Sequence, residues 1–318
     1  MVSLLVRFVD RIKRVLVPGK RRSKSCRLQE HMDELKVALC IQHRVLRMSG
    51  QEVDFEDVRD NGPFELESPL IEEHNRRRIQ AQLMYMFECL HRESSSDSIS
   101  EGFRMDFTVE RRASSIASAG EGVFVKGKAI RGSVIALYPG LVAIPEHGPE
   151  IYLDIVNRGT SKEEESNPYA IVRMDNTLID ANVDLSSIDH NNEDTWPNYY
   201  NPDTRRNQRK LATSPNPYAI AHCVNHPSAE IGQANVQQLM YDFTEEFPNH
   251  LRPYIPNRLI SANFVGFGHD ALASTMVYIA VRDIEDEEIF VDYRLNPAMG
   301  YPEWYTPVDE GAAARRWS

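Results

Sequence analysis

Three short segments carry the side chains that could do chemistry, and they lie far apart in the chain. Residues 120–122 place two glycines around an acid, residues 225–226 place an amide beside an imidazole, and residues 292–293 close a charged run with Asp-Tyr. Glycine lets the backbone approach a ligand closely because it has no Cβ. An Asn-His pair suits a polar ligand with amine and adenine groups, and a tyrosine hydroxyl can orient a nucleophile.

Each segment also has an ordinary structural interpretation. Gly120-Glu121-Gly122 is compatible with a plain hairpin turn. Asn225-His226 is compatible with a turn that contains a hydrogen-bonded histidine. The charged run before Asp292-Tyr293 is typical of a solvated turn that leads into a half-buried edge strand. None of the three segments indicates a site by itself.

The elements that must position these segments differ along the chain. Apolar residues recur at helical spacing over 28–48 and 71–91, which predicts two amphipathic helices, and the serine-rich residues 94–100 are typical of a flexible link. Beyond about residue 107, β-rich runs such as 122–125 and 275–281 alternate with glycine and proline. We therefore predict a mostly β domain preceded by a small α-helical N-terminal module.

Composition limits the classes of protein to which the chain can belong. With 318 residues and 42% hydrophobic content it can bury a core, but its apolar runs are shorter than the roughly 20 residues that cross a bilayer. The four cysteines and ten histidines are dispersed, without the spacing of a zinc site or of a small disulfide framework. We predict a reducing compartment, no membrane span and no metal.

Basic charge is concentrated at the N-terminus. Residues 1–27 hold nine basic side chains against Asp10, although the net charge of the whole chain is −11. The acidic remainder argues against broad nucleic-acid contact, because phosphate binding needs cationic surface, and fits a basic peptide partner better. The amphipathic residues 1–16 are compatible with a mitochondrial presequence, an anionic-surface contact or a frayed or docked helix, and together with residues 20–24 they are compatible with a nuclear signal.

The order and spacing of the three segments resemble the SET domain family of protein lysine methyltransferases. In that family Gly-x-Gly and a later Tyr-x-Gly come first, Asn-His follows, and Gly-Glu-Glu-Leu leading to Asp-Tyr closes the domain. Here residues 120–122 and 138–140 match the opening, Asn225-His226 match the middle, and residues 286–293 match the end. The resemblance covers about residues 107–295. Four further stretches are similar to one metazoan branch of the family: 115–125, 216–219, 234–236 and 247–257.

The sequence departs from the family pattern in several places. Pro227-Ser228 stand where Ser-Cys normally follows Asn-His, Asn235 comes later than the family's Pro-Asn, and Asp286 replaces a glycine. No cysteine cluster follows Tyr293. Residues 302–305 instead resemble the tail of a zinc-free member, in which a tryptophan packs beside the cofactor.

The resemblance implies an enzyme that transfers a methyl group from S-adenosylmethionine to an accessible lysine of a protein substrate. Tyr293 would orient the lysine amine, and Tyr138 would line the lysine channel. The implied cofactor-binding residues are Gly120, Glu121, Gly122, Asn225, His226 and Trp304. The alternative is a non-catalytic module of the same fold that recruits protein partners. The altered sequence after His226 favours the module, and the retained Tyr293 favours the enzyme.

The resemblance also implies a β-clip SET domain with a pseudoknot, in which the C-terminal segment threads through an earlier loop. We expect a basic segment at 1–27, a helical module and linker at 28–100, the SET domain at 107–295 with a surface insertion at 183–215, and a tail at 296–318. We expect an intracellular protein, nuclear or cytoplasmic, and the basic N-terminus is compatible with a mitochondrial location.

Overall fold

The computed structural model describes residues 23–61, 68–94, 104–117, 119–144, 167, 169–182, 214–259 and 271–318. The predictions for residues 1–22, for most of the serine-rich link and for residues 183–213 of the insertion lie outside these ranges. The described α-helices are α1 (Lys24–Met48), α2 (Phe55–Asn61), α3 (Ser68–Ser94) and α4 (Glu310–Trp317). The described strands are β1 (Phe107–Ala113), β2 (Glu121–Ala129), β3 (Val134–Leu137), β4 (Gly140–Ala143), β5 (Ala170–Val172), β6 (Leu178–Asp180), β7 (Val236–Thr244), β8 (Asn257–Leu259), β9 (Ala271–Ala280) and β10 (Ile284–Glu285).

The two long N-terminal helices confirm the prediction from apolar spacing. Helix α1 begins after Ser23, whose hydroxyl accepts a hydrogen bond from the backbone N–H of Cys26 at 3.0 Å and so satisfies one free donor of the first turn. Its buried face includes Val37 and Ile41, and it packs against α3, where Leu83 and Phe87 are buried. The short helix α2 between them was not predicted.

A side-chain amide of helix α3 forms two hydrogen bonds with the backbone of the strand-rich part. The amide of Gln82 donates to the carbonyl of Gly132 at 3.0 Å and accepts from the N–H of Val134 at 3.0 Å. Since both backbone groups flank the start of β3, this side chain satisfies polar atoms that burial would otherwise leave unpaired.

The chain divides into two compact units. The first contains Leu137–His222 and Met240–Met276, and the second contains Arg21–Ala136, Cys223–Leu239 and Val277–Ser318. The units are interleaved in sequence, and the domain boundaries drawn from the sequence stay predictions.

The first unit contains a four-stranded sheet in the order β5-β6-β4-β8. Strand β6 runs antiparallel to β4 and β5, with Asp180 opposite Leu141, and β8 runs parallel to β4. Leu141, Leu178 and Ile179 are fully buried in it.

The second unit contains a three-stranded sheet in the order β1-β2-β10. Strands β1 and β2 form an antiparallel hairpin whose last pair joins Ala113 to Glu121. Val123 and Val125 of β2 are buried, as expected for a strand with one face on the core. A further sheet has the order β3-β9-β7. The strand-rich part after residue 104 and the small helical N-terminal part confirm the predicted fold class at this coarse level.

None of the described helices has the length and apolarity that crossing a membrane requires.

Candidate functional site

The three segments singled out in the sequence come together in the second unit. Residues 120–122 lie where the hairpin loop enters β2, and an antiparallel bridge joins Phe124 of that strand to Glu288. A parallel bridge joins Asn225 to Phe290. The predicted strand that leads to Asp292-Tyr293 is thus present as isolated bridges rather than as a continuous ladder. These bridges bring together residues that lie 164 and 65 positions apart in the chain.

The carboxylate of Glu288 connects the segments. The residue is 4% exposed, and one carboxylate oxygen accepts from the hydroxyl of Ser114 at 2.8 Å and from Nδ2 of Asn225 at 3.3 Å. The other oxygen accepts from the N–H and the hydroxyl of Ser115, at 2.7 and 2.5 Å. A buried carboxylate is stable only with such partners. Glu288 is therefore not part of a solvated turn, which was the structural interpretation of the charged run before Asp292-Tyr293.

Gly122 is required by this packing. A Cβ at Gly122 would lie 2.0 Å from Oε1 of Glu288 and 3.2 Å from Nδ2 of Asn225. Gly120 differs, because a Cβ there would meet no heavy atom within 4 Å, although its φ of +76° favours glycine. Of the two glycines, one makes room for the protein's own carboxylate, and the other has open space on the side where a Cβ would point.

The orientation of the Asn225 amide is fixed by its neighbours. Its Nδ2 donates to the carbonyl of Glu121 at 2.9 Å and to the carboxylate of Glu288 at 3.3 Å. Both neighbours only accept, so the nitrogen must face them. The carbonyl oxygen Oδ1 is then the atom of this amide that can accept a hydrogen bond from a ligand.

His226 is held at both ring nitrogens. The backbone N–H of Tyr293 donates to its Nδ1 at 3.3 Å, and its Nε2 lies 2.7 Å from the carbonyl of Thr306. Because a carbonyl only accepts, the ring hydrogen lies on Nε2. The ring is buried and stacks on Tyr305 with centroids 4.3 Å apart. The imidazole therefore joins the Asp-Tyr segment to the C-terminal tail.

Tyr293 combines a fixed hydroxyl with an accessible ring. The hydroxyl donates to the carbonyl of Val224 at 3.0 Å, and the residue is 39% exposed. Desolvation raises the pKa of Tyr293 to about 12, so its hydroxyl stays protonated at neutral pH. The ring of Trp304, which is 60% exposed, stands edge-on to it with centroids 6.2 Å apart. The two side chains form an exposed aromatic surface.

Tyr138 lies in the first unit. It is buried, its hydroxyl donates to the carbonyl of Tyr169 at 2.8 Å, and its ring stands edge-on to His222 with centroids 6.4 Å apart. The other predicted site residues thus lie in the second unit, whereas Tyr138 lies in the first unit among aromatic neighbours.

No family model matches the chain. The chain is 31% identical over 199 residues to SET domain-containing protein 9 from Pongo abelii, across 59% of this chain and 64% of that protein. It is 29% identical over 201 residues to SET domain-containing protein 9 from Homo sapiens, across 59% of this chain and 58% of that protein. Over these residues the chain is similar to SET domain proteins. The match spans about three fifths of the length of these curated relatives.

One departure from the SET pattern has a direct structural explanation. Asp286, which stands where the pattern has glycine, adopts a φ of +51°, in the left-handed region that glycine favours. Its carboxylate accepts from the N–H of Gly127 at 2.8 Å, and its own N–H donates to the Gly127 carbonyl at 3.2 Å. Aspartate is one of the few residues that tolerate this conformation, and here its side chain supplies a bond that glycine lacks.

Asn235, the second departure, fixes the strand that carries Glu288. It is buried, its Nδ2 donates to the carbonyl of Glu288 at 2.8 Å, and its Oδ1 accepts from the N–H of Phe290 at 2.7 Å. Its late position relative to the SET pattern was visible in the sequence, but this structural role was not predicted.

In the part of the chain that the structure describes, no cluster of His, Cys, Asp and Glu could hold a metal ion.

Proposed function

We propose that the chain is an S-adenosylmethionine-dependent protein-lysine N-methyltransferase of the SET type. One observation carries the proposal: Asn225, His226 and Tyr293 lie together in one unit. Asn225 is bonded to the carboxylate of Glu288, and the N–H of Tyr293 is bonded to His226. The relationship to SET domain proteins supports the same function. The finer fold, a β-clip SET domain with a pseudoknot over 107–295, is part of the proposal, and the parallel bridges Asn225–Phe290 and Val236–Val291 support it.

The residues present fit the cofactor. Oδ1 of Asn225 can accept from the amino group of S-adenosylmethionine, since Nδ2 is already committed to the protein. The open side of Gly120 leaves space for the methionine end against the backbone of residues 120–122. His226 would hold the adenine by contacts other than its ring nitrogens, because these are bonded to Thr306 and Tyr293. The exposed ring of Trp304 would pack on the cofactor. When bound, S-adenosylmethionine supplies a methyl group made electrophilic by the sulfonium charge.

Tyr293 would orient the lysine that receives the methyl group. A lysine amine must be neutral to attack, although its ordinary pKa is about 10.4. Desolvation in a narrow channel lowers that pKa, as does a nearby positive charge. The Tyr293 hydroxyl donates a hydrogen bond to the carbonyl of Val224, so its oxygen lone pairs can accept a hydrogen bond from the amine N–H. This contact would direct the amine's lone pair at the methyl group.

Transfer of a labelled methyl group tests the proposal. Purified protein is incubated with methyl-labelled S-adenosylmethionine and a proteome extract, and labelled proteins are counted and identified. Tyr293→Phe is compared with Tyr85→Phe, because Tyr85 has a similar exposure of 38% and also donates its hydroxyl to a backbone carbonyl at 3.0 Å. We expect label with the wild type and with Tyr85→Phe, and none with Tyr293→Phe.

Two results would count against parts of the proposal. Equal labelling by Tyr293→Phe would reject the role of the hydroxyl. Binding of the cofactor without any transfer by the wild type would favour the non-catalytic module that recruits protein partners.

A further inference from the structure

The residue after Tyr293 has an unusual backbone and is held at three points. Arg294 has a φ of +54°, in the left-handed region that arginine rarely adopts. Its N–H donates to the side chain of Asp292 at 2.9 Å, and its carbonyl accepts from Nε1 of Trp317 at 3.2 Å. Its guanidinium lies 3.1 Å from the carboxylate of Asp33. A conformation of this kind persists only where the surroundings impose it.

Two of these contacts come from the helices α1 and α4. The carboxylate oxygen of Asp33 that meets Arg294 also accepts from Arg316 of α4 at 2.9 Å. Its other oxygen accepts from Gln29 at 3.0 Å, and Gln29 in turn accepts from Arg315 at 2.8 Å. The side chains of Asp33, Arg294 and Arg316 are 15%, 14% and 5% exposed. One carboxylate thus pairs with two mostly buried guanidinium groups.

We propose that Asp33 is a positioning residue for Tyr293 and acts through Arg294 and the C-terminal helix α4. Removing its charge would leave the two guanidinium groups without their shared counter-ion. Their repulsion would loosen α4, and with it the bond from Trp317 to the Arg294 carbonyl. Arg294 would then relax from its left-handed backbone conformation. The preceding residue, Tyr293, would shift, and its hydroxyl would no longer donate to the carbonyl of Val224. The catalytic part of this inference rests on the proposed function; the structural part does not.

Asp33→Asn tests the inference, and Asp283→Asn is its matched control. Asp283 also ties α1 to the rest of the second unit, through Arg47 at 2.8 and 2.9 Å and the N–H of Arg131 at 2.9 Å, but none of these contacts involves Tyr293 or Arg294. We expect Asp33→Asn to lower kcat about tenfold or more and to change the KM for S-adenosylmethionine by less than about threefold. We expect Asp283→Asn to leave both constants near their wild-type values.

A second measurement does not depend on catalysis. With 13C-labelled tyrosine, the ring signal of Tyr293 can be identified among the 13 tyrosines by its loss in Tyr293→Phe. We expect this signal to shift in Asp33→Asn and to stay in place in Asp283→Asn. Should Asp33→Asn fail to fold, Trp317→Phe removes the N–H donated to Arg294 but keeps an aromatic ring, and a smaller shift is expected.

The outcomes are distinguishable. An unmoved Tyr293 signal in the folded variant overturns the positioning role, and so does an equal loss of kcat in both Asp→Asn variants, which would indicate general destabilisation. If the wild type transfers no methyl group, the proposed function fails, and the tyrosine signal still decides whether Asp33 positions Tyr293.

Discussion

The backbone N–H of Tyr293 donates a hydrogen bond to Nδ1 of His226 at 3.3 Å. Two residues that lie 67 positions apart therefore share one fixed geometry. The same imidazole is bonded through Nε2 to Thr306 at 2.7 Å, which brings the C-terminal tail to the site. The histidine of the Asn-His pair is thus a junction between three segments, in addition to any contact it makes with a ligand.

His226→Phe should destabilise the fold even though it keeps an aromatic ring beside Tyr305. The change leaves the N–H of Tyr293 and the carbonyl of Thr306 without their partner, and such a loss typically costs about 2 kcal/mol. We expect the free energy of unfolding, measured by chemical denaturation, to fall by about that amount. A variant as stable as the wild type would show that neither bond contributes to stability.

Nitrogen NMR of the wild type should find the ring hydrogen of His226 on Nε2.

Gly122→Ala should cost more stability than Gly120→Ala. A methyl group at Gly122 would collide with the Glu288 carboxylate, which cannot move without breaking bonds to Ser114 and Ser115, and overpacking of this kind costs about 2 kcal/mol. At Gly120 there is space, and only the left-handed backbone is strained, at about 1 kcal/mol. Denaturation of both variants measures the difference. The opposite order would contradict the packing described here.

Glu34→Gln should change how stability depends on pH. Burial raises the pKa of Glu34 to about 7, and the charges of Glu72, Glu30 and Asp33 add to the effect. Between about pH 4.5 and 7 the folded state holds a proton that the unfolded chain releases, so this group lowers stability as pH rises. With a discount for its partial exposure, we expect the variant to be about 1 kcal/mol more stable than the wild type at pH 8.

The same comparison at pH 5 is the internal control. There Glu34 is mostly protonated in the folded state, so the two proteins should have nearly equal free energies of unfolding. Glu72→Gln, which removes the largest charge contribution, should give a smaller gain at pH 8. An advantage of Glu34→Gln that does not change between the two pH values would contradict the raised pKa.

Local sequence patterns predicted several helices and strands, because apolar spacing and β-rich composition act within a short stretch of chain. Apolar spacing predicted α1 and α3, and β-rich runs predicted β2 and β9. Helix α4 was not predicted, although Asp309 accepts from the N–H of Ala312 at 2.8 Å as an N-cap, an alanine run follows, and arginines occupy the last turn. An N-cap, alanines and C-terminal arginines are local signals of a short helix, so this helix was predictable from the sequence.

Long-range contacts explain what the sequence could not predict. Glu288 was read as part of a solvated charge run, because nothing local indicates that Ser114, Ser115 and Asn225 surround it. The pairing of Asp33 with Arg294 joins residues more than 250 positions apart and follows from the fold alone. The candidate site residues were predicted from the order of three motifs, which resembles a known family pattern.

Calorimetric titration with S-adenosylmethionine tests the central claim most directly. The account predicts saturable binding to the wild type, an affinity at least about tenfold weaker in Asn225→Ala, and a smaller change in Ser114→Ala. Asn225→Ala removes the Oδ1 acceptor, whereas Ser114→Ala removes one donor to Glu288 and the acceptor of the Ile116 N–H. If the folded wild-type protein takes up no S-adenosylmethionine, or if Asn225→Ala binds it as tightly as the wild type, the proposed site is wrong.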